Sequence, residues 1–506
     1  MNTFKSHSYW ITSTEETSYP ALKEDLRVDA LVIGGGIAGI TSATLLSDAG
    51  LSIALIEANR ICRGTTGHTT AKITSQHNLI YADLIKHLGF EKAEQYAIAN
   101  QHAIRKIRQL VKQYSIDCQL TNRNAYVYTD ELSNVCSIEK EVKAAQSLNL
   151  PADYVTNLNF PVKSLSGIRF SNQAEFHPRK YILKLAYELT KKAPIYENTR
   201  ALDIDENTPY TISTTGGKVI ADYVIVASHY PFYDKGSFYF AKMYPETSYI
   251  VGTTMKHDFN TDMYIGFDDP TRSLRSYSSE SEHLLLVGGE SHKTGKGKDG
   301  SIHYKHLENF IESVSPQSPI RYRWLAQDYI TLDKVPYIGL LNRNMDHVYV
   351  ATGFGKWGMT SGTVAAMIIK DLILKGKNPW ASVFSPSRHL DGQKIKQIIV
   401  NGTDSAYELI KGKLTDYQST LEAIPIDQCN IIEINSNNIG VYKDKNGELF
   451  AVDITCQHLK CELVWNQAER TWDCPCHGSR YNYRGEVFDG PSNANLVRID
   501  IDSIFS

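Results

Sequence analysis

Residues 455–481 read TCQHLKCELVWNQAERTWDCPCHGSRY and hold four of the chain's eight cysteines and two of its sixteen histidines. Cys456-x-His458 and Cys474-x-x-His477 each offer one thiol and one imidazole, a pairing that binds transition metals. Zinc accepts a Cys2His2 set but leaves Cys461 and Cys476 without a task. A [2Fe-2S] centre with two cysteines on one iron and two histidines on the other uses the same four ligands and leaves two cysteines to link their loops. Exchanging two thiolates for neutral imidazoles removes negative charge, which places such a centre high in a range of about −150 to +300 mV.

CQHLKC with CPCHGSRY resembles the Rieske iron-sulfur domains of the disulfide-containing type, over about residues 424–506. The resemblance implies one [2Fe-2S] cluster with Cys456 and Cys474 as thiolate ligands, His458 and His477 as imidazole ligands, and Cys461 paired with Cys476. It places Ser479 and Tyr481 where hydroxyls donate to cluster sulfur, and Gly490-Pro491 in the loop that covers the cluster. Electrons are expected to cross the exposed histidine edge, and His458 and His477 to lose protons more easily when the cluster is oxidised. Domains with this ligand set also feed oxygenases, which need a separate iron bound by two histidines and a carboxylate. His303, His306 and Glu308 in SIHYKHLENF are the place to look, although an ordinary polar helix face explains them.

A second chemistry lies near the start. RVDALVIGGGIAGITSATLLSDAGLSIALIEANR (27–60) reads as strand, glycine turn, helix and strand, with Gly34-x-Gly36-x-x-Gly39 at the turn and Glu57 ending the second strand. This is a dinucleotide fingerprint: Gly34 permits the turn, Gly36 lets backbone meet pyrophosphate at a helix N-terminus beside Ile37 and Ala38, Gly39 lets helix pack on strand, and Glu57 can bind ribose hydroxyls. The fingerprint alone does not separate FAD from NAD.

Three further stretches do. RGTTGHTTAK (63–72), WLAQDYITLDKVPYIG (324–339) and VYVATGFGKWGMTSGTVAAMIIKDL (348–372) together resemble the D-amino-acid oxidase and glycine oxidase family of FAD enzymes, over about residues 27–375. The resemblance implies that Arg63, Thr65, Thr66, Gly67 and His68 wrap the pyrophosphate, and that Gly353, Gly355, Trp357, Gly358, Met359 and Thr360 lie against the flavin ring and ribityl chain. DYVIVASHY (222–230) fits the returning strand of the FAD domain. His68 stands where the dimethylglycine and sarcosine dehydrogenase branch has the histidine covalently bonded to flavin; a polar residue near pyrophosphate is the other reading. Where amino-acid oxidases of the family place a carboxylate-clamping arginine, four residues after the tryptophan, this chain has Asp328 after Trp324. An aspartate there repels a carboxylate and attracts a protonated amine, unless its role is a structural hydrogen bond.

These motifs demand a particular scaffold. The implied architecture is an α/β FAD-binding Rossmann-like domain interleaved with an antiparallel-sheet substrate domain (1–380), a linker with short helices (381–423) and a small all-β Rieske domain (424–506). The periodicity predicts helices over 90–114 and 176–189. With 42% apolar residues, 22% charged residues and a net charge of −3, the chain is neither a disordered chain nor a nucleic-acid binder. The first thirty residues lack a secretory or twin-arginine pattern, and GTVAAMIIKDLIL (362–374) is interrupted by Lys370 and Asp371, so a cytoplasmic protein without a transmembrane segment is expected. Cys62, Cys118, Cys136 and Cys429 stand singly and receive no role. The function expected is an FAD-dependent dehydrogenase or oxidase that takes a hydride from a small amine or amino-acid-like substrate and sends electrons singly through the cluster. The external partner would be a quinone, cytochrome, ferredoxin or flavodoxin. A reductase running electrons inward, or a non-catalytic redox sensor or electron-transfer subunit, are the other readings.

Overall fold

Apolar runs without an exposed face belong inside a covered parallel sheet. In the computed structural model of the chain, which describes residues 7–158, 162–255, 262–279, 282–297, 299–388, 424–434 and 437–501, Leu26–Ile33 pairs in parallel with Ile53–Ile56 on one side and Lys218–Val226 on the other. Ile195–Tyr196 and Val348–Thr352 extend this sheet in parallel, and Tyr337–Leu340 closes one edge antiparallel. The helices Ile37–Ser47 and Gly358–Lys375 pack on each other. Gly362 permits their approach, because a Cβ there would lie 2.9 Å from Ile37 Cγ2.

The second sheet has nine strands and draws on residues 72–175 and 243–331, between the chain segments that build the first. Its pairings include antiparallel ladders and one parallel pair, Met263–Gly266 with Thr121–Thr129. The interleaved FAD and substrate architecture is therefore present.

The predicted helices occur as Phe90–Gln113 and Pro178–Thr190. The second begins two residues late because His177 caps it, accepting from Lys180 N at 3.2 Å, with Pro178 in the first turn. Residues 381–388, expected in the linker, include the helix Ala381–Phe384 with Phe384 fully buried and Arg388 paired with Asp333 at 2.6 Å. The remaining linker, with its expected short helices, lies outside the described residues.

The chain divides into two compact units, one made of 1–237, 248–291 and 304–391 and the other of 238–247, 292–303 and 392–506. The second contains two four-stranded antiparallel sheets, Gln428–Ile434, Asn437–Lys443, Leu449–Asp453 and Arg498–Ile499, and Val464–Asn466, Thr471–Asp473, Arg480–Asn482 and Val487–Asp489. The sheets meet where Trp472 fills the space above Gly440, whose Cβ would lie 2.2 Å from the indole. Any larger residue at 440 would displace the fully buried Trp472.

Candidate flavin and iron-sulfur sites

At the dinucleotide turn the glycines are required by contact. Gly34 has φ +115°, and a Cβ on it would lie 2.4 Å from Ala227 O; one on Gly39 would lie 1.8 Å from Gly34 O. Gly36 starts the helix Ile37–Ser47 with no side-chain cap, and its Cβ would meet only Thr66 Oγ1, at 3.2 Å. The helix N-terminus beside Ala38 is thus approachable by an anion. Thr66 Oγ1 accepts from Ile37 N at 3.1 Å, which binds the RGTTGH segment to the fingerprint. Glu57 accepts from Gly35 N at 2.7 Å and Asn59 N at 2.9 Å. Burial raises its carboxyl pKa, and the two N–H groups pull it back toward the ordinary range.

The remaining flavin segments converge on the same place. Thr65 Oγ1 donates to Gln327 O at 3.0 Å and lies 3.3 Å from a ring nitrogen of His229. Gly355 N donates to Tyr329 O at 3.1 Å, and Thr352 Oγ1 donates to His229 O at 2.5 Å. Asp328, buried on the strand Ile320–Thr331, therefore sits between two residues whose carbonyls accept from Thr65 and Gly355. Gly353 and Gly355 have φ +70° and +54°, and Gly358 begins its helix without a side-chain cap. Gly67 is pressed on Cys62 O, 2.4 Å from where its Cβ would be. His68 has Nδ1 2.9 Å from Gly64 O, and its own carbonyl accepts from Trp324 Nε1 at 2.8 Å. Arg63 is held by Glu16 at 2.7 and 2.9 Å, so its charge already has a partner.

Sequence reasoning passed over two residues here. His77 is buried, stacks on Trp357 at 4.8 Å, and lies 3.1 Å from Thr360 Oγ1, 2.9 Å from Thr74 O and 2.6 Å from Tyr96 OH. Burial pushes its pKa down to about 3, so it is a neutral brace for Trp357 and Thr360. Lys72 ends the quoted RGTTGHTTAK stretch and is buried, with Nζ donating to Ser273 Oγ. Burial, assisted by Arg275 and opposed by Glu175, lowers its pKa to about 7. Neither had a sequence signal, because TTAKITSQHNLI (69–80) is polar at several positions around both.

The cysteine-histidine loops share one geometry. Cys456 N donates to Cys461 O and Cys474 N to Ser479 O, both at 2.8 Å, while Lys460 N reaches Cys456 O at 3.0 Å and Gly478 N reaches Cys474 O at 3.1 Å. Lys460 and Gly478 occupy the matching left-handed position, φ +59° and +76°. Two loops thus each present a thiol and an imidazole. Their rings, His458 and His477, lie 5.2 Å apart at 88°. Cys461 and Cys476 form a disulfide, with Cys474 Sγ within 4.8 Å of the sulfurs of that pair. Tyr481 OH lies 3.6 Å from Cys456 Sγ, and Ser479 Oγ accepts from Ser492 N at 3.2 Å. Gly490, φ +89°, brings the covering loop onto Gly478, with its Cβ position 2.3 Å from Gly478 O.

Cys456 and Cys474 share a hydrogen bond, which lowers the first thiol and raises the second. Burial holds His458 and His477 well below the ordinary imidazole value, at about 4 and about 3, so both are neutral at neutral pH. Two paired thiols, two neutral imidazoles and hydroxyls beside sulfur fit a [2Fe-2S] cluster. The histidine edge is unequal: His477 is buried and His458 partly exposed. His303, His306 and Glu308 go to separate partners, His292 in a 4.9 Å stack, Glu290 at 2.9 Å and Arg323 respectively. Among the described residues no helix is long and apolar enough to cross a membrane.

Known proteins resemble both parts of the chain. The family described as FAD dependent oxidoreductase matches residues 29–372, and the Rieske [2Fe-2S] domain matches residues 419–500. The chain is 42% identical to the protein YhfW of Bacillus subtilis (strain 168), covering 98% of each. It is 23% identical to gamma-glutamylputrescine oxidoreductase of Escherichia coli (strain K12), covering 82% of this chain and 100% of that protein. Glycine oxidase from Geobacillus kaustophilus has the same fold over 72% of this chain and 100% of its own, with TM-score 0.60 at 16% identity.

Proposed function

We infer that this chain, which belongs to the FAD dependent oxidoreductase family and carries a Rieske [2Fe-2S] domain, oxidises a small amine or amino-acid-like substrate and passes the electrons singly to an external one-electron acceptor. When bound, FAD takes a hydride from a C–H bond beside nitrogen, and the [2Fe-2S] cluster exchanges single electrons. The protein supplies position, charge and proton handling. Gly34, Gly36, Gly39, Glu57, Thr65, Thr66, Gly67 and His68 are the residues we assign to the adenosine and pyrophosphate, and Gly353, Gly355, Trp357, Gly358, Met359 and Thr360 to the flavin. Cys456, His458, Cys474 and His477 are assigned to the cluster.

The observation that carries the substrate class is Asp328, a buried carboxylate between Gln327 and Tyr329 at the meeting point of the cofactor segments. A carboxylate there favours a cationic amine and disfavours a carboxylate. Similarity to gamma-glutamylputrescine oxidoreductase supports the same class. Hydride transfer from an amine needs its nitrogen neutral, so a proton must leave the bound ammonium.

Anaerobic titration with pooled amines, N-methyl amino acids and amino acids tests the reading, with flavin bleaching followed by absorbance and the cluster by low-temperature EPR. Bleaching by one amine pool together with growth of a Rieske-type signal is expected. Flavin that no pool reduces, but that a reductant acting at the cluster does reduce, would show electrons running inward. Asp328→Asn should weaken amine binding by roughly 10-fold or more, the loss of one buried charge pairing; unchanged binding would remove Asp328 from the substrate site.

A further inference from the structure

Within the second unit, the two histidine-bearing loops have different surroundings. Phe240, in the short helix Tyr239–Lys242, sets its ring edge-on to His477 at 5.7 Å and 84°. From a separate part of the chain, Gly295 with φ +72° lies so close to Pro475 that its Cβ would be 2.7 Å from Pro475 Cα. Backbone therefore meets backbone beside the cluster loop, and a larger residue would have to move it. The two contacting segments are tied to each other: Thr294 N donates to Pro245 O at 3.1 Å, and the Thr247 and Thr294 hydroxyls are 2.9 Å apart. They are also the ends of long strands in the substrate sheet, Met243–Thr254 and His283–Lys293. The other loop carries His458, partly exposed, followed by Leu459, 46% exposed, and the exposed Lys460.

We propose that residues 238–247 and 292–297 form a seat for the Cys474–His477 loop, making His477 the ligand through which electrons pass to and from the rest of the chain and leaving His458 to the external partner. The seat is built from an aromatic edge and a glycine contact, neither of which an ordinary solvent-facing cluster loop would need. Each passage moves one electron, so two passages and two reduced one-electron acceptors balance one two-electron substrate oxidation. The port assignment rests on the relay reading above; the seat itself does not.

Two measurements on the holoprotein separate them. Hydrogen exchange followed by mass spectrometry reads the seat: in Phe240→Ala and Gly295→Val, amides of 476–479 should exchange at least 10-fold faster than in the unaltered protein, while those of 456–461 stay unchanged. Unchanged exchange at 476–479 would overturn the seat. Anaerobic flash photoreduction of the flavin with EDTA, which needs no substrate, reads the port. Both variants should slow reduction of the cluster at least 10-fold, with oxidation of the reduced cluster by ferricyanide unaltered. Lys460→Glu should do the reverse, slowing ferricyanide several-fold at low salt and leaving internal transfer alone. A loosened seat with undiminished internal transfer overturns the port assignment. Absence of internal transfer in the unaltered protein, with 476–479 protected, overturns the relay and the port together and leaves the seat standing.

Discussion

The cluster site and the flavin site are assembled from very different stretches of chain. All four proposed cluster ligands lie between residues 456 and 477, on two loops with matching backbone bonds. The proposed flavin site gathers residues from 34 to 360, and its contacts, such as Thr65 to Gln327 and His77 to Thr360, join segments that only a formed fold brings together. Local loops can be specified by local backbone geometry. A dispersed site inherits its precision from two sheets and the helices packed on them, and it should respond to changes far from the cofactor.

The sharpest way to break this comparison is to remove one cluster ligand. Cys474→Ser replaces a fully buried sulfur inside a hydrophobic cluster with Trp472 and Tyr481. Iron and acid-labile sulfide should fall to background, while FAD content and flavin absorbance stay at the unaltered level. Loss of both cofactors would show that the sites do not form independently. Gly39→Val is the counterpart at the flavin end. Its Cβ would fall 1.8 Å from Gly34 O, a backbone atom that cannot swing aside. A cost of about 3 kcal/mol or more from such overpacking corresponds to FAD binding weakened by roughly 100-fold, with the iron content intact.

A smaller effect tests whether the dispersed site depends on its braces. In His77→Leu the Tyr96 hydroxyl and Thr360 lose their imidazole partner, and Trp357 loses its stacking ring. Leaving such buried groups unpaired costs about 1–3 kcal/mol, which should appear as a lower thermal midpoint and altered flavin fluorescence with FAD still bound. Because burial lowers the His77 pKa to about 3, below the 6.5 of an unfolded imidazole, the stability given by the neutral ring is fully present above about pH 6.5 and is lost as pH falls toward 3, so the difference between variant and unaltered protein should shrink over that range. A difference that stays constant from pH 8 to 5 would mean that His77 keeps an ordinary imidazole pKa in the folded protein.

The same contrast explains what could be read from the sequence. Glycine spacing led to a dinucleotide fold and the CxH and CxxH pairs to a metal centre, because each is a short pattern with a backbone or valence requirement behind it, while FAD, the Rieske domain and the disulfide came from the resemblance of longer stretches to known families. His77 and Lys72 were not legible. Their roles come from strands and loops far away in sequence, and a lone histidine or lysine has no local pattern to announce it. Arg63 illustrates the converse: its position in the wrapping segment is plain, but its pairing with Glu16 depends on where the N-terminal segment lies. The burial of His477 was likewise hidden, since Phe240 and Gly295 carry no sequence link to the cysteine loops.

The smallest effect concerns how far the cluster domain is stabilised apart from its cluster. Asp427 is gripped by Arg470 through two hydrogen bonds of 2.6 and 2.8 Å and accepts a third from Tyr442 OH at 2.6 Å. The Arg470 guanidinium holds the Asp427 carboxyl down at about 2, against an ordinary value of 3.8. Since the folded-state value is the lower one, the pair stabilises the fold fully above pH 3.8, and the contribution fades as pH falls toward 2. Each pKa unit is worth about 1.4 kcal/mol, but both side chains are about a third exposed and solvent screens them, which reduces the expectation to ~1 kcal/mol. Asp427→Asn should therefore lower the denaturant midpoint for loss of cluster absorbance by that amount at pH 7, equally at pH 5, and by less below pH 4. The flavin transition should not move. A shift of the flavin transition alongside the cluster's would show that the two units unfold together, and the independence on which the comparison rests would fail.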